Sequence, residues 1–392
     1  MTACAIETAA DGDAVREAAF TIAADGSYAA RLAGEGDARF PERWTLDGPE
    51  PYAVPLPADQ PEEPDTGLLP MTDGRVLIHR REGGASHAFG SGGGRHCFSL
   101  LYPTGPRNGP RTGELPVGAV ECERLELLPP APDGSRAYAL SVGELSTTVW
   151  QVAGGAFGPE YVAEVAGRCS GGVWLDRTGR MLALDREADG VTKAVAVDLE
   201  RGGEVTPLLQ ITEGSNDRLL LADPDSGLLL IRSDAPGRDR LGWGVLGSML
   251  PVRFPECLAP ADCAVTPFAV QPGQVLTPES CAVALRVDGV AGRSWVGVWR
   301  PAGRRLHHLA APAGWLAGAG LWTRDAVLQL PYVTGAVPCG VARVDAPEDV
   351  VITEPPQVES AGGEPFRAPD TPVVCKPVPL QQAPLTGRGA RD

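Results

Sequence analysis

Apolar residues fall in short runs along most of the chain, and a tight-turn signal precedes each run. Ala24-Asp25-Gly26-Ser27 leads into Tyr28-Ala29-Ala30-Arg31-Leu32, and Thr72-Asp73-Gly74-Arg75 into Val76-Leu77-Ile78. Pro132-Asp133-Gly134-Ser135 precedes Ala137 to Leu140, Arg177-Thr178-Gly179-Arg180 precedes Met181 to Leu184, and Asp225-Ser226-Gly227 precedes Leu228 to Ile231. Pro278-Glu279-Ser280 and Thr323-Arg324-Asp325 open the last two runs, Cys281 to Leu285 and Ala326 to Leu330. Gly supplies positive φ and Asp bonds its own backbone, so these are hairpin turns and the runs predict strands. No apolar period of 3.6 residues is sustained beyond about three turns. The one weakly helical stretch is Asp11 to Phe20.

Anchored on residues 25, 73, 133, 177, 225, 279 and 324, the seven turns stand 44 to 60 residues apart, which is the spacing of a repeated four-stranded unit. The fourth unit reads in full. Gly172-Val173-Trp174-Leu175 enters the turn and Arg180 to Asp185 leaves it. Lys193 to Leu199 forms a further strand, and Val205 to Leu209 begins the outermost one.

The units Leu175-Asp176-Arg177-Thr178-Gly179-Arg180, Ala131-Pro132-Asp133-Gly134-Ser135-Arg136 and Val197 to Val205 resemble the blade repeats of TolB-type propellers. They are also similar to the N-terminal propeller of prolyl-oligopeptidase-type serine peptidases. The resemblance runs over about residues 15 to 355 and implies an all-β, seven-bladed β-propeller of four-stranded blades around a central channel. Residues 1–14 would precede it, and a Pro/Gly-rich tail, 356–392, would follow as an extended terminus or a docking segment. The peptidases carry their nucleophile in a separate α/β-hydrolase domain, in a Gly-x-Ser-x-Gly elbow. Ser86, in Gly84-Ala85-Ser86-His87-Ala88, departs from that motif, and 37 residues after position 355 are too few for such a domain.

Composition narrows the picture. The chain has 49 Gly and 38 Pro among 392 residues, which opposes a helical protein because Gly costs about 1 and Pro about 3 kcal/mol in a helix interior. A net charge of −16 opposes nucleic acid or anionic membrane as partner. Lys193 and Lys376 are the only lysines, a sign of a GC-rich genome rather than of function. An acidic N-terminus predicts no export, and nine scattered cysteines without a CxxC predict reduced residues of a cytoplasmic monomer. Cys257 and Cys263 are the best-placed pair for a disulfide or metal. Leu306 to Thr323 is uncharged but broken by Pro and Gly, and predicts loop and strand rather than a membrane span.

Candidate chemistry concentrates at His79, His87 and His96, with Arg80, Arg81 and Arg95 beside them, around a Gly-rich loop in the second unit. An imidazole there could act as a general base or converge with others on a metal, the loop and its arginines could gate or hold a ligand, and the alternative is a plain surface loop. The spacing matches no metal signature, and Gly90 to Gly94 lacks the helix a phosphate loop requires, so neither metal nor cofactor is expected. Asp223 to Gly227 predicts a turn rather than a calcium loop. His307 and His308 predict a half-exposed pair at a strand end. The eight tryptophans predict core, with one or two at a channel rim able to grip a peptide or a sugar ring. The expected function is a non-catalytic propeller binding a protein, peptide or small ligand at one face. The alternatives are a propeller lyase or hydrolase using the histidines, and a stand-alone propeller partnering a serine hydrolase.

Overall fold

A computed structural model describes residues 20–58, 61–82, 94–105, 111–290 and 292–347. The chain divides into two units, 1–348 and 349–392, and every described element lies in the first. The stretch Asp11 to Phe20, except Phe20, lies outside the described residues, as do the loop with Ser86 and His87 and the tail after 356.

Antiparallel meanders build the fold. The strands β1 (Thr21–Ile22), β2 (Tyr28–Ala33), β3 (Phe40–Thr45) and β4 (Tyr52–Pro55) form the first, and β5 (Gly67–Pro70), β6 (Val76–Glu82), β7 (Gly94–Thr104) and β8 (Arg111–Cys122) the next. Then come β9 (Leu125–Leu127), β10 (Ala137–Val142), β11 (Ser146–Ala153) and β12 (Glu160–Ala166). A seven-stranded sheet follows, in which β13 (Arg168–Trp174), β14 (Met181–Ala188), β15 (Val191–Asp198) and β16 (Glu204–Leu209) make one meander. The other, β17 (Asp217–Ala222), β18 (Leu228–Ser233) and β19 (Arg240–Val245), joins it through one parallel bridge, Lys193 to Asp217. The last two are β20 (Cys263–Val270), β21 (Val283–Gly289), β22 (Ser294–Trp299), β23 (His307–Leu309), and the three-stranded β24 (Leu321–Trp322), β25 (Val327–Tyr332), β26 (Gly340–Asp345). There is no α-helix among the described residues.

Every predicted turn joins the first two strands of a meander. Asp25, Asp73 and Asp133 each accept the backbone N–H two residues on, at 3.0, 3.0 and 3.1 Å. Gly134 and Gly179 take φ of 66° and 73°, which a side chain would strain.

Central strands are apolar at nearly every position because both of their faces are buried. On β14, Leu182 and Leu184 pack toward β9–β12, while Ala183 packs toward β17–β19. On β18, Leu228 and Leu230 face β20–β22, while Leu229 and Ile231 face β14–β16. Six apolar clusters fill the spaces between consecutive meanders in this way. Trp44, Trp174, Trp243, Trp299 and Trp322 are all under 8% exposed, as expected of core, whereas Trp150, Trp295 and Trp315 are half-buried.

Turn residues also bond from one meander to the next. Arg43 donates to Gly74 O at 3.0 Å, Thr72 to Gly134 O at 3.1 Å and Arg136 to Thr178 O at 3.3 Å. Arg177 pairs with Asp225, which also accepts from Gly273 N at 2.8 Å, and Gln271 donates to Arg324 O at 2.9 Å. Leu321, from the last meander, packs against Gly26 of the first.

Asp223 caps its own turn by accepting from Ser226 N and Oγ at 3.0 and 2.6 Å. Cys257 and Cys263 are free thiols, like the other described cysteines. Leu306 to Thr323 contains β23, a loop and the start of β24, and no described helix is long and apolar enough to cross a membrane.

Candidate ligand-binding cavity

A cavity of about 1270 Å³ lies among the first strands of the meanders, β1, β5, β9, β17, β20 and β24. One wall is apolar, with Ile22, Leu221, Phe268, Val270 and Leu321. The opposite wall comes from the second meander and the start of the third, and it carries six acidic and three basic side chains together with His79 and His96. No tryptophan lines the cavity among the described residues, so the predicted aromatic rim is not built there.

His79 and His96 lie on the two strands that flank the Gly-rich loop. β6 runs on to Glu82 and β7 begins at Gly94, so Arg80, Arg81 and Arg95 belong to paired strands and the Gly-rich connection is shorter than the sequence indicated. Their register places His79 opposite Phe98 and Arg81 opposite His96, all four on one face. His79 and His96 are therefore diagonal neighbours, within the reach of ring side chains. His79 Nε2 lies 2.8 Å from His96 Nδ1, and the His79 ring stacks on Phe98 at 5.2 Å.

Both imidazoles are neutral at neutral pH. Burial, then the neighbouring His96, pushes His79 down to about 4, with Asp65 opposing. Burial and the Arg81 guanidinium push His96 down as well, against the carbonyls of Cys122 and Glu123. His96 is only 3% exposed, and its Nε2 meets no acceptor at full hydrogen-bond geometry. Two neutral rings share one N–H in this bond, and His79 Nδ1 lies beside Gly67 of the cavity lining.

Arg80 is spent on structure. It bonds Glu62 through Nε at 2.9 Å and Nη2 at 2.7 Å, and Glu114 through Nη1 at 2.6 Å, while the Glu62 side chain is 5% exposed. These carboxylates hold its guanidinium further above the usual arginine range, led by the Glu62 hydrogen bond. Arg81 lines the cavity with no hydrogen-bond partner among the described residues. Arg95 lies on the other face of the hairpin, 3.5 Å from Glu82, and does not line the cavity. His87 lies outside the described residues. His307 is half-buried and His308 exposed, far along the chain on β23, where His308 accepts from Trp295 Nε1 at 2.5 Å.

Sequence reasoning missed Glu62, Asp65, Glu114 and Glu123. They come from a connecting segment, an outer strand and the link to the third meander, and nothing in an isolated acidic residue marks it as lining a cavity. No group of three or more metal-ligating side chains converges among the described residues.

No protein-family model and no curated protein matches this sequence. Solved structures do match. Prolyl oligopeptidase B from Galerina marginata, bound to a 35mer substrate, is 12% identical over 83% of this chain and 48% of its own, with a TM-score of 0.50. A Mycobacterium tuberculosis puromycin-hydrolyzing peptidase is 15% identical over 85% of this chain and 52% of its own, with a TM-score of 0.44. TolB from Acinetobacter baumannii is 12% identical over 80% and 76%, with a TM-score of 0.41. The chain spans about half the length of the prolyl oligopeptidase structures it matches. At such identity the likeness speaks of architecture alone, and that architecture is the β-propeller.

Proposed function

We propose that the chain is a seven-bladed propeller that works by binding, and that its ligand is a peptide segment of a partner protein held in the central cavity. The observation that carries this reading is the cavity itself, apolar on one wall and charged on the other. Its volume of about 1270 Å³ exceeds the roughly 300–1,000 Å³ of pockets that enclose a single small ligand. The turn-to-turn bonds and the packing of Leu321 on Gly26 support closure of seven meanders into one ring. Free thiols at the described cysteines suit a cytoplasmic setting.

The imidazole pair gives the enzyme reading its one specific support, since two of the three candidate histidines meet at the cavity wall. Its chemistry favours binding nonetheless. A base that takes up its proton only near pH 4 is weak at neutral pH, where general-base catalysis is served by a pKa close to the working pH.

Hydrogen exchange on the full chain, with and without a peptide recovered from a displayed random library, tests the reading. Protection should appear in residues 65–69 and 123–128, which line the cavity. Protection confined to the outer strands would overturn it.

A further inference from the structure

The outer edge of the meanders β17–β19 and β20–β23 holds a second concavity, of about 400 Å³, separate in its lining from the central one. We propose that it is a binding site for the carboxylate side chain of an acidic peptide.

Its floor is built by backbone pairing. Trp243 and Arg253 exchange both of their backbone hydrogen bonds, at 2.9 and 3.0 Å, which fixes the Arg253 side chain over its neighbour. The guanidinium lies 5.1 Å from the centroid of the Trp243 ring. Stacked this way, a guanidinium keeps its in-plane N–H groups for a planar oxyanion, which it grips in bidentate fashion. Phe254 and Pro301 supply apolar walls, and Arg304, on the turn after β22, adds a second cation.

Charge singles this place out. The lining carries one acidic residue, Glu256, and that carboxylate already accepts from Arg240 at 2.8 Å, which draws its pKa down. Arg253 and Arg304 have no ion pair among the described residues. In a chain of net charge −16, the lining carries two arginines, Arg253 and Arg304, against this one paired carboxylate. Screening at physiological salt acts over about 8 Å, so an anion in the concavity meets this local cationic patch before the acidic remainder of the protein. An extended polyanion such as DNA would have to cross that remainder as well. A single carboxylate, presented by a short acidic segment, fits both the volume and the field.

The test is calorimetric titration of the full chain with an acetylated, amidated peptide of alternating Glu and Gly, with the matching Gln peptide as control. The Glu peptide should bind and the Gln peptide should not. Arg304→Gln, at an exposed turn, should weaken binding about tenfold with an unchanged melting temperature, and Arg253→Lys should weaken it severalfold by removing the stacked fork. Equal binding of the two peptides, no effect of Arg304→Gln, or tighter binding of a DNA duplex than of the Glu peptide would each overturn the proposal.

Discussion

His79 and His96, seventeen positions apart, share a 2.8 Å hydrogen bond across the β6–β7 hairpin, and both stay neutral in a wall otherwise rich in charge. Burial and their mutual proximity hold His79 near pH 4. In a proton NMR titration of the full chain, its ring resonances should keep their neutral positions until the pH approaches about 4. A midpoint near the ordinary value of about 6.5 would refute the assigned arrangement.

Stability should carry the same signature. Between about pH 4 and 6.5 the unfolded chain binds a proton at His79 that the folded chain refuses, so this residue makes stability rise with pH in that window. Asp185 acts in the opposite sense. Burial raises it to about 6, against the Leu219 N–H and Arg218, so between about 3.8 and 6 the folded chain holds the extra proton and stability falls as pH rises. Urea unfolding of His79→Gln, subtracted from wild type, should expose the first slope, and Asp185→Asn the second, with opposite signs. Parallel slopes would contradict the assignment.

The Lys193–Asp217 pair should be the least replaceable polar contact between neighbouring meanders. Asp217 is fully buried. Burial alone would raise its pKa, but hydrogen bonds from Lys193, Ser233, Ile211 N and Ser215 outweigh it and hold the carboxylate ionised. Lys193 Nζ bonds Asp217 at 2.7 Å and the Ser215 carbonyl at 2.6 Å. Asp217→Ala leaves a largely buried ammonium uncompensated and should cost about 3–5 kcal/mol in urea unfolding. Lys193→Met with Asp217→Leu should cost less than the two single changes together.

The repeat was legible in the sequence because its turns depend on local chemistry. Asp73 bonding its own backbone and Gly134 at positive φ leave an Asp-Gly signature that needs no tertiary context. The sixth and seventh turns were weaker signals because a short 3₁₀ turn at Pro278–Ser280 and Ala326 at φ 61° replace that signature. The cavity wall was only half legible. Three histidines in one stretch stood out, but the pairing of His79 with His96 depends on hairpin register, and Glu62 reaches Arg80 from a preceding connection. Register and long-range pairing are tertiary facts. For the same reason Arg80 and Arg81, adjacent and alike in sequence, take different parts, one locked between carboxylates and one lining the cavity without a partner among the described residues.

Ring closure predicts a contrast between two glycines. Gly26 has φ 76°, and a Cβ there would run into Leu321 of the last meander, whereas Gly36 has φ 55° and nothing within 4 Å. Gly36→Ala should cost only the backbone strain, about 1 kcal/mol. Gly26→Ala should cost about 1–3 kcal/mol more, the usual range for overpacking. Equal losses in thermal unfolding would mean that the first and last meanders do not pack together.

The central claim is that the cavity binds a peptide, and blocking the cavity tests it most directly. Thr66 lines the charged wall and is half-buried, and a tryptophan there would fill space without removing a charge. Peptides recovered from a displayed random library should bind the wild-type chain saturably and bind Thr66→Trp at least about tenfold more weakly, with the melting temperature unchanged. Recovery of no peptide, or equal affinity for both proteins, would contradict the account.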